Sequence, residues 1–164
     1  MLSAAEQEVY ALLDQLGINY TRYEHPAVYT VAEAAQYDDR IPGIHCKNIF
    51  IRNKTGKYHY LIIMPAEKIL NLKKLADHIG SSTFHLASSQ RLQQYLGVTP
   101  GAVGPFGLVK DRNHEVIVIM DQSLTGESLL KFHPNVNTAS ITLSYADLVK
   151  FLHERGNQLR IIDL

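Results

Sequence analysis

KNIFIRNKTGKYHYLIIM, residues 47–64, is the stretch of the sequence that says most about the fold. Two runs rich in β-branched and aromatic residues, 47–53 and 58–64, flank a turn-forming KTG triplet, and this arrangement predicts a β-hairpin. Lys47 and Asn48 stand side by side at its entrance. Because adjacent residues of a strand point to opposite faces, one of the two should face inward unless the strand begins after them.

Helix and strand signals alternate irregularly on both sides of this hairpin. Helices are predicted over 3–17, 30–36, 71–80, 88–97 and from 144 onward, and further strands over 18–24, 83–87, 116–120 and 141–143. This mixture of hairpins and helices favours an α+β fold with a mixed sheet over a doubly wound parallel fold. No linker or repeat interrupts residues 1–164, which predicts a single domain.

The composition is typical of a globular protein, with 46% hydrophobic and 20% charged residues. Lys+Arg and Asp+Glu are equal at 16 each, which argues against a protein that coats DNA or long RNA by charge. The single cysteine, Cys46, excludes an intramolecular disulfide and is expected to be a small buried residue. The N-terminus does not resemble a secretion signal, and no apolar run approaches the roughly 18 residues of a membrane span. We therefore expect a cytoplasmic protein with neither a membrane nor a DNA partner.

Three polar features could carry chemistry, although each also has an ordinary structural interpretation. Lys47 and Asn48 offer an ammonium and an amide, or are a solvent-facing lysine beside a capping asparagine. The loop GAVGPFG, residues 101–107, can expose backbone N–H groups to an anion or an oxyanion, or is a tight connection. His133 lies in the polar segment FHPNVNT, which is typical of a site wall and equally of a solvated turn.

Motifs of other chemistries are missing. Despite eight histidines, there is no H-x-x-x-H, H-E-x-x-H or C-x-x-C spacing for a metal. No Lys-Ser or Lys-Thr completes a phosphate-binding loop, and no G-x-S-x-G nucleophile elbow occurs. The residues alone therefore predict no metal and no cofactor.

Four segments, taken together and in order, carry a resemblance to a known family. They are YEHPAVYTVAEA (23–34), KNIFIRNKTGKYHYLIIM (47–64), LGVTPGAVGPFGLVKD (96–111) and FHPNVNTASITLS (132–144). Through nearly its whole length the chain resembles the free-standing prolyl-tRNA editing domains, which are related to the editing insertion of bacterial prolyl-tRNA synthetase and to the YbaK-type deacylases. The resemblance implies a mixed, curved and partly barrel-like sheet flanked by helices.

The resemblance also implies which residues form the site. The residues that fall on family positions for catalysis are Lys47, Asn48, Gly101 and His133, and those implied to bind substrate are Thr30, Val31, Glu33, Val103, Gly104, Pro105 and Phe106. Lys47 falls on a lysine used at the tRNA acceptor end, and the loop at Gly101 would face it. Val31, Pro105 and Phe106 would help to close the pocket. Gly107 departs from the family pattern, in which alanine is expected.

The function that the resemblance implies is trans-editing, the hydrolysis of alanine mischarged onto the proline tRNA. Its implied partners are the acceptor end of mischarged tRNA(Pro) and, as a candidate, prolyl-tRNA synthetase; no metal or covalent intermediate is expected. Two alternatives remain open: deacylation of another mischarged tRNA such as Cys-tRNA(Pro), and a non-catalytic module that binds tRNA or a synthetase. Whether His133 and Asn48 orient the amino group, the water or the carbonyl also remains open.

Overall fold

The computed structural model describes all residues of the chain, 1–164. The helices are α1 (Ala4–Gln15), α2 (Val31–Ala35), α3 (Leu72–Ile79), α4 (Ser89–Leu96) and α5 (Tyr145–Arg155), with 3-10 helices over Pro105–Lys110 and Gln122–Leu124. The strands are β1 (Thr21–Glu24), β2 (Ile44–Asn53), β3 (His59–Pro65), β4 (Phe84–Leu86), β5 (Val116–Asp121), β6 (Leu130–Phe132), β7 (Ala139–Leu143) and β8 (Leu159–Ile162). None of the helices combines the length and the apolar character needed to cross a membrane.

The eight strands form one mixed sheet. Their order is β1-β7-β6-β2-β3-β5-β8, and β4 pairs with β2 outside this path. The pairs β2–β6, β3–β5 and β5–β8 are parallel, and the remaining pairs are antiparallel. Because β1 and β8 stand at opposite ends of the order, the sheet does not close into a barrel. The predicted α+β class with a mixed sheet is confirmed.

The predicted hairpin is present as β2 and β3, with Lys47 opposite Met64. β2 begins at Ile44, three residues before the predicted start. Lys47 and Asn48 therefore lie within the strand rather than at its entrance. Every residue of β3 is buried, so this strand runs through the middle of the molecule and its two faces must both pack against apolar neighbours.

Two apolar clusters cover the two faces of the sheet. The larger one contains Leu61 and Ile63 of β3, and packs them against α1, α4 and α5. The smaller one contains Tyr60, Ile62 and Met64 of β3 and packs them against α3. This alternation follows from the two-residue period of a strand. It makes the β2–β3 hairpin a rigid support for the residues at the open edge of β2.

Candidate active site

The site lies where one edge of β2 changes its partner. Near the start of the strand, the Ile44 N–H donates to the Leu129 carbonyl over 2.9 Å, and near its end the Phe50 carbonyl accepts from the Ala87 N–H over 2.9 Å. Between the segments paired with β6 and with β4, no strand covers this edge. Because the backbone groups of alternate residues point to the same edge, Asn48 directs its N–H and C=O into the uncovered interval.

A cavity of about 300 Å³ opens at this interval, a size at the lower end for small-molecule sites. It brings together residues from four distant parts of the chain. Of the eleven residues predicted for the site, those that line the cavity are Thr30, Val31, Lys47, Asn48, Gly101, Val103 and His133. Those that do not line it are Glu33, Gly104, Pro105 and Phe106.

Glu33 stands behind the wall that α2 provides. The Thr30 hydroxyl accepts from the Glu33 N–H over 3.1 Å, which is the predicted cap. The Glu33 carboxylate in turn accepts from the Tyr29 N–H over 2.7 Å. These two bonds hold the backbone of residues 29–31 in place, so Glu33, which does not line the cavity, supports this wall.

Lys47 and Asn48 point to opposite faces of β2, as adjacent strand residues must. Asn48 lies on the face of the buried Phe50, which belongs to the larger core cluster. The ammonium of Lys47 donates to the backbone carbonyl of Lys68, in the loop after β3. It therefore does not face the loop at Gly101 in this conformation, although Lys47 lines the cavity.

The glycine loop, which lines the cavity through Gly101 and Val103, has backbone N–H groups without a partner. Gly101 has a φ of +91°, a backbone conformation that favours glycine. The N–H groups of Gly101 and Val103 donate to no other protein atom. Gly104 approaches the strand side of the site, because its Cβ would lie 3.2 Å from the His133 carbonyl oxygen.

The second half of the loop serves packing rather than the cavity. Phe106 is fully buried, and its ring meets that of Phe151 edge-on at a centroid distance of 5.1 Å. With Pro105 it opens a buried 3-10 helix, so the expectation that these two residues close the pocket does not match their positions. A close contact explains why residue 107 is a glycine. A Cβ there would lie only 2.8 Å from the Leu96 Cβ, at the end of α4. The departure from the family pattern allows this close contact.

His133 presents a neutral imidazole to the cavity. Its Nδ1 lies 2.9 Å from the Ala139 carbonyl oxygen, which can only accept, so Nδ1 carries the proton and Nε2 keeps a lone pair. Burial lowers the pKa of the ring; the bond to Ala139 opposes this effect, and the neighbouring His25 and His45 lower the pKa further. Near neutral pH His133 can therefore accept a proton or a hydrogen bond at Nε2.

Residues 25–151 match the family described as the aminoacyl-tRNA editing domain, and this range contains every residue that lines the cavity. The chain belongs to the aminoacyl-tRNA editing domain family. It is accordingly an aminoacyl-tRNA deacylase, an enzyme that hydrolyses the ester between an amino acid and tRNA. The predicted family and the prediction of an enzyme rather than a non-catalytic module are confirmed.

Relatives of this editing domain extend over nearly the whole chain. The prolyl-tRNA editing protein ProX of Acetoanaerobium sticklandii is 44% identical over 160 residues, which cover 98% of each chain. The prolyl-tRNA synthetase associated domain-containing protein 1 of Danio rerio is 31% identical over 90% of this chain and 81% of its own. A crystal structure of a candidate trans-editing enzyme for prolyl-tRNA synthetase shares the fold, with a TM-score of 0.75 at 21% identity over 100% of this chain and 99% of its own.

Behind the cavity, the editing domain contains a small polar recess that the sequence patterns did not predict. Its volume is about 20 Å³, and it shares His45, Asn48 and His133 with the cavity. The other polar residues that line it are His25, Tyr37, Asp38, Lys131 and Ser140. We call this space the inner recess.

A buried ion pair organises the inner recess. Lys131 is only 5% exposed, and its ammonium lies 2.8 Å from the Asp38 carboxylate and 3.0 Å from the Ile41 carbonyl oxygen. The His45 Nδ1 lies 3.4 Å from the same carboxylate. Lys131 could have been found in the sequence, because a lysine between Leu130 and Phe132 interrupts an otherwise apolar strand, where a charge must be paired.

Proposed function

We propose that this editing domain hydrolyses alanine from mischarged tRNA(Pro) in trans. The observation that carries the proposal is the convergence of Asn48, Gly101 and His133 on one small cavity at the uncovered edge of β2. The relative from Acetoanaerobium sticklandii, named a prolyl-tRNA editing protein, supports proline tRNA as the substrate class. The 98% coverage of both chains means that the two proteins are alike in extent as well as in sequence.

Alanine is an amino acid that a synthetase for proline is expected to attach to tRNA(Pro) by mistake. A synthetase site sized for proline cannot exclude the smaller alanine, because differences of a methylene or two give only about 10–200-fold discrimination. A second site that admits a methyl side chain and rejects a proline ring corrects the mistake. Thr30, Val31 and Val103 line the cavity, and we assign to them the contacts with the side chain of the amino acid. Cysteine, which adds one sulfur to alanine, is the competing substrate.

The cavity supplies the groups that ester hydrolysis needs. The unpaired N–H groups of Gly101 and Val103 are donors for the oxyanion that forms on the ester carbonyl, and one such donor typically contributes about 3–4 kcal/mol to transition-state stabilisation. The Lys47 ammonium leaves the Lys68 carbonyl and pairs with a phosphate of the terminal nucleotide. Since Lys47 lies in a strand and carries its charge on a flexible stem, this movement requires no change of the backbone.

Contact with the tRNA is limited to its acceptor end. The net charge of the chain is zero, so the protein has no general excess of positive charge with which to hold the whole tRNA or DNA. Mischarged tRNA is produced by synthetases in the cytoplasm, where we place this protein. Prolyl-tRNA synthetase, which would release the substrate, is the candidate protein partner.

The test is a deacylation panel with the wild type and Lys47→Ala. The wild type should hydrolyse Ala-tRNA(Pro) faster than Cys-tRNA(Pro) and spare Pro-tRNA(Pro). A hydrogen bond to a charged group contributes about 1.5–3 kcal/mol, so Lys47→Ala should lower kcat/KM by about 10- to 150-fold. Lys54→Ala, which removes an exposed lysine from the hairpin turn, is the matched control. Equal rates on alanine and proline would refute the specificity, and an unaltered Lys47→Ala variant would refute the phosphate contact.

A further inference from the structure

We propose that the inner recess seats the water that attacks the aminoacyl ester, and that His133 accepts its proton. The proposal rests on the hydrolysis of an aminoacyl ester and does not depend on which amino acid is removed. It assigns roles that were left open for His133 and Asn48, and it gives a function to a space that lies outside the substrate cavity.

The size of the inner recess selects a single water molecule. A water needs about 10–15 Å³ of accessible space and two to four polar partners. The inner recess provides about 20 Å³, and its lining includes several polar side chains, among them Asn48 and His133. The recess is therefore large enough for one water molecule but too small for any part of the bound amino acid.

Two unpaired acceptors on the lining are available to hold this water. The Oδ1 atom of Asn48 is buried and has no hydrogen-bond partner in the protein, a situation that costs about 1–3 kcal/mol unless a donor is supplied. His133 keeps a lone pair on Nε2, because its Nδ1 proton is bound to Ala139. A water that donates one proton to each of these atoms satisfies both. Its oxygen then keeps its own lone pairs for attack.

Other polar groups of the inner recess are already engaged. The Ser140 hydroxyl lies 3.0 Å from the His25 Nε2, and Lys131 is paired with Asp38. These groups are therefore not free to bind the water, whereas the Asn48 Oδ1 and the His133 Nε2 are. These same two residues also line the substrate cavity, so the water stands at the boundary between the two spaces, next to an ester bound in the cavity.

The reaction step balances without a cofactor. The water oxygen forms a bond to the ester carbonyl carbon while one water proton passes to the His133 Nε2. The carbonyl oxygen becomes an oxyanion that the N–H groups of Gly101 and Val103 stabilise. The tetrahedral intermediate then breaks the bond to the ribose oxygen, which takes the proton back from His133. The products are the free amino acid and the tRNA hydroxyl.

The charged groups around His133 favour the neutral imidazole that this role requires. The groups that face it are His25, whose ring centroid is 5.8 Å away, His45, Asp38 and Lys131. The negative charge of Asp38 is neutralised by Lys131, so no free carboxylate stabilises the imidazolium. His133 therefore remains neutral near pH 7, and the lone pair on its Nε2 is available to take a proton from the water.

The experiment measures single-turnover deacylation as a function of pH, on whichever mischarged tRNA the wild type hydrolyses fastest. The wild-type rate should be constant near neutrality and should fall about tenfold per pH unit once His133 is protonated, with a midpoint below the ordinary value of about 6.5. His133→Ala should lose about 10²–10⁴-fold in rate together with this acid limb. Added imidazole should restore part of the rate. His153→Ala, which removes an exposed histidine of α5, should behave like the wild type.

A second variant tests the water seat itself. Asn48→Leu keeps the size of the side chain but removes the acceptor, so kcat should fall while KM stays nearly constant, because the water and not the substrate loses its partner. Circular dichroism at each pH confirms that the variants are folded.

Several results would overturn the proposal while leaving the deacylase activity established. They are a wild-type rate without an acid limb, a His133→Ala variant with the wild-type profile, and an Asn48→Leu variant changed only in KM. A preference for an amino acid other than alanine would instead refute the proposed specificity and leave the water seat intact.

Discussion

Acid should weaken this fold through one buried histidine, His59 of β3. His59 is 1% exposed, and its ring lies against Tyr95 with the centroids 4.0 Å apart. Its Nε2 lies 2.9 Å from the Arg91 Nη1. A guanidinium only donates, so Nε2 accepts and the folded protein holds the neutral ring.

The size of the effect follows from the pKa of this ring. Burial lowers the pKa of His59 from 6.5 to about 4, and the charges of Arg91 and Arg52 contribute. Above the ordinary pKa both the folded and the unfolded chain carry neutral histidine. Between the two values only the unfolded chain binds the proton, so the free energy of unfolding falls as the pH falls. The gap of about 2.5, at about 1.4 kcal/mol for each pKa unit, corresponds to about 3.5 kcal/mol in full, of which about 3 kcal/mol is lost by about pH 4.

Urea unfolding from about pH 7.5 down to about pH 4 measures this loss. The informative variant is His59→Gln, which offers a carbonyl oxygen to Arg91 and does not titrate. Other groups also respond to acid, so the quantity of interest is the difference between the two proteins. About 3 kcal/mol of the acid-induced loss in the wild type should be missing from the variant. His153→Ala should keep the full loss, and an identical pH dependence in the wild type and His59→Gln would refute the reasoning.

Two further predictions concern tight packing and the cysteine. Gly107→Ala places a methyl 2.8 Å from the Leu96 Cβ. Such overpacking costs about 1–3 kcal/mol, against a gain of about 0.4–1 kcal/mol from the lower entropy of the unfolded chain. Urea unfolding should therefore show a net loss of stability of about 1 kcal/mol, and equal or higher stability would contradict this prediction. Burial raises the pKa of the Cys46 thiol to about 12, so iodoacetamide should label it only after unfolding. Rapid labelling of the native protein would contradict this.

The sequence predicted the elements whose signals are local. The hairpin at 47–64 and the buried strand near Val116 have strong β patterns, and Ser3 with Glu6 forms the capping box that their spacing indicated. β6 and β8 were missed. β6 is three residues long and carries Lys131 at its centre, so its apolar pattern is broken by a residue whose partner, Asp38, lies 93 positions away. A pairing of that kind has no local signature.

For the candidate site, too, the sequence predicted the features that have local motifs and missed those that depend on distant contacts. The family pattern identified residues that converge on the cavity, because those positions are defined by sequence motifs. It also placed Phe106 at the pocket, and nothing local distinguishes a phenylalanine that faces a ligand from one that packs against Phe151. The inner recess was not predicted because it forms where β2, β6, β7 and the loop after α2 meet. Its residues are far apart in the sequence and come together only in the folded protein.

The break in pairing along β2 has a consequence for how such enzymes diverge. The uncovered edge of β2 offers main-chain N–H and C=O groups, which no side-chain substitution removes. In the proposed function, discrimination between amino acids falls to Thr30, Val31 and Val103, which line the cavity from outside the sheet. We expect substitutions at these three positions to change which mischarged tRNA is hydrolysed, while the sheet and the residues proposed for hydrolysis stay unchanged.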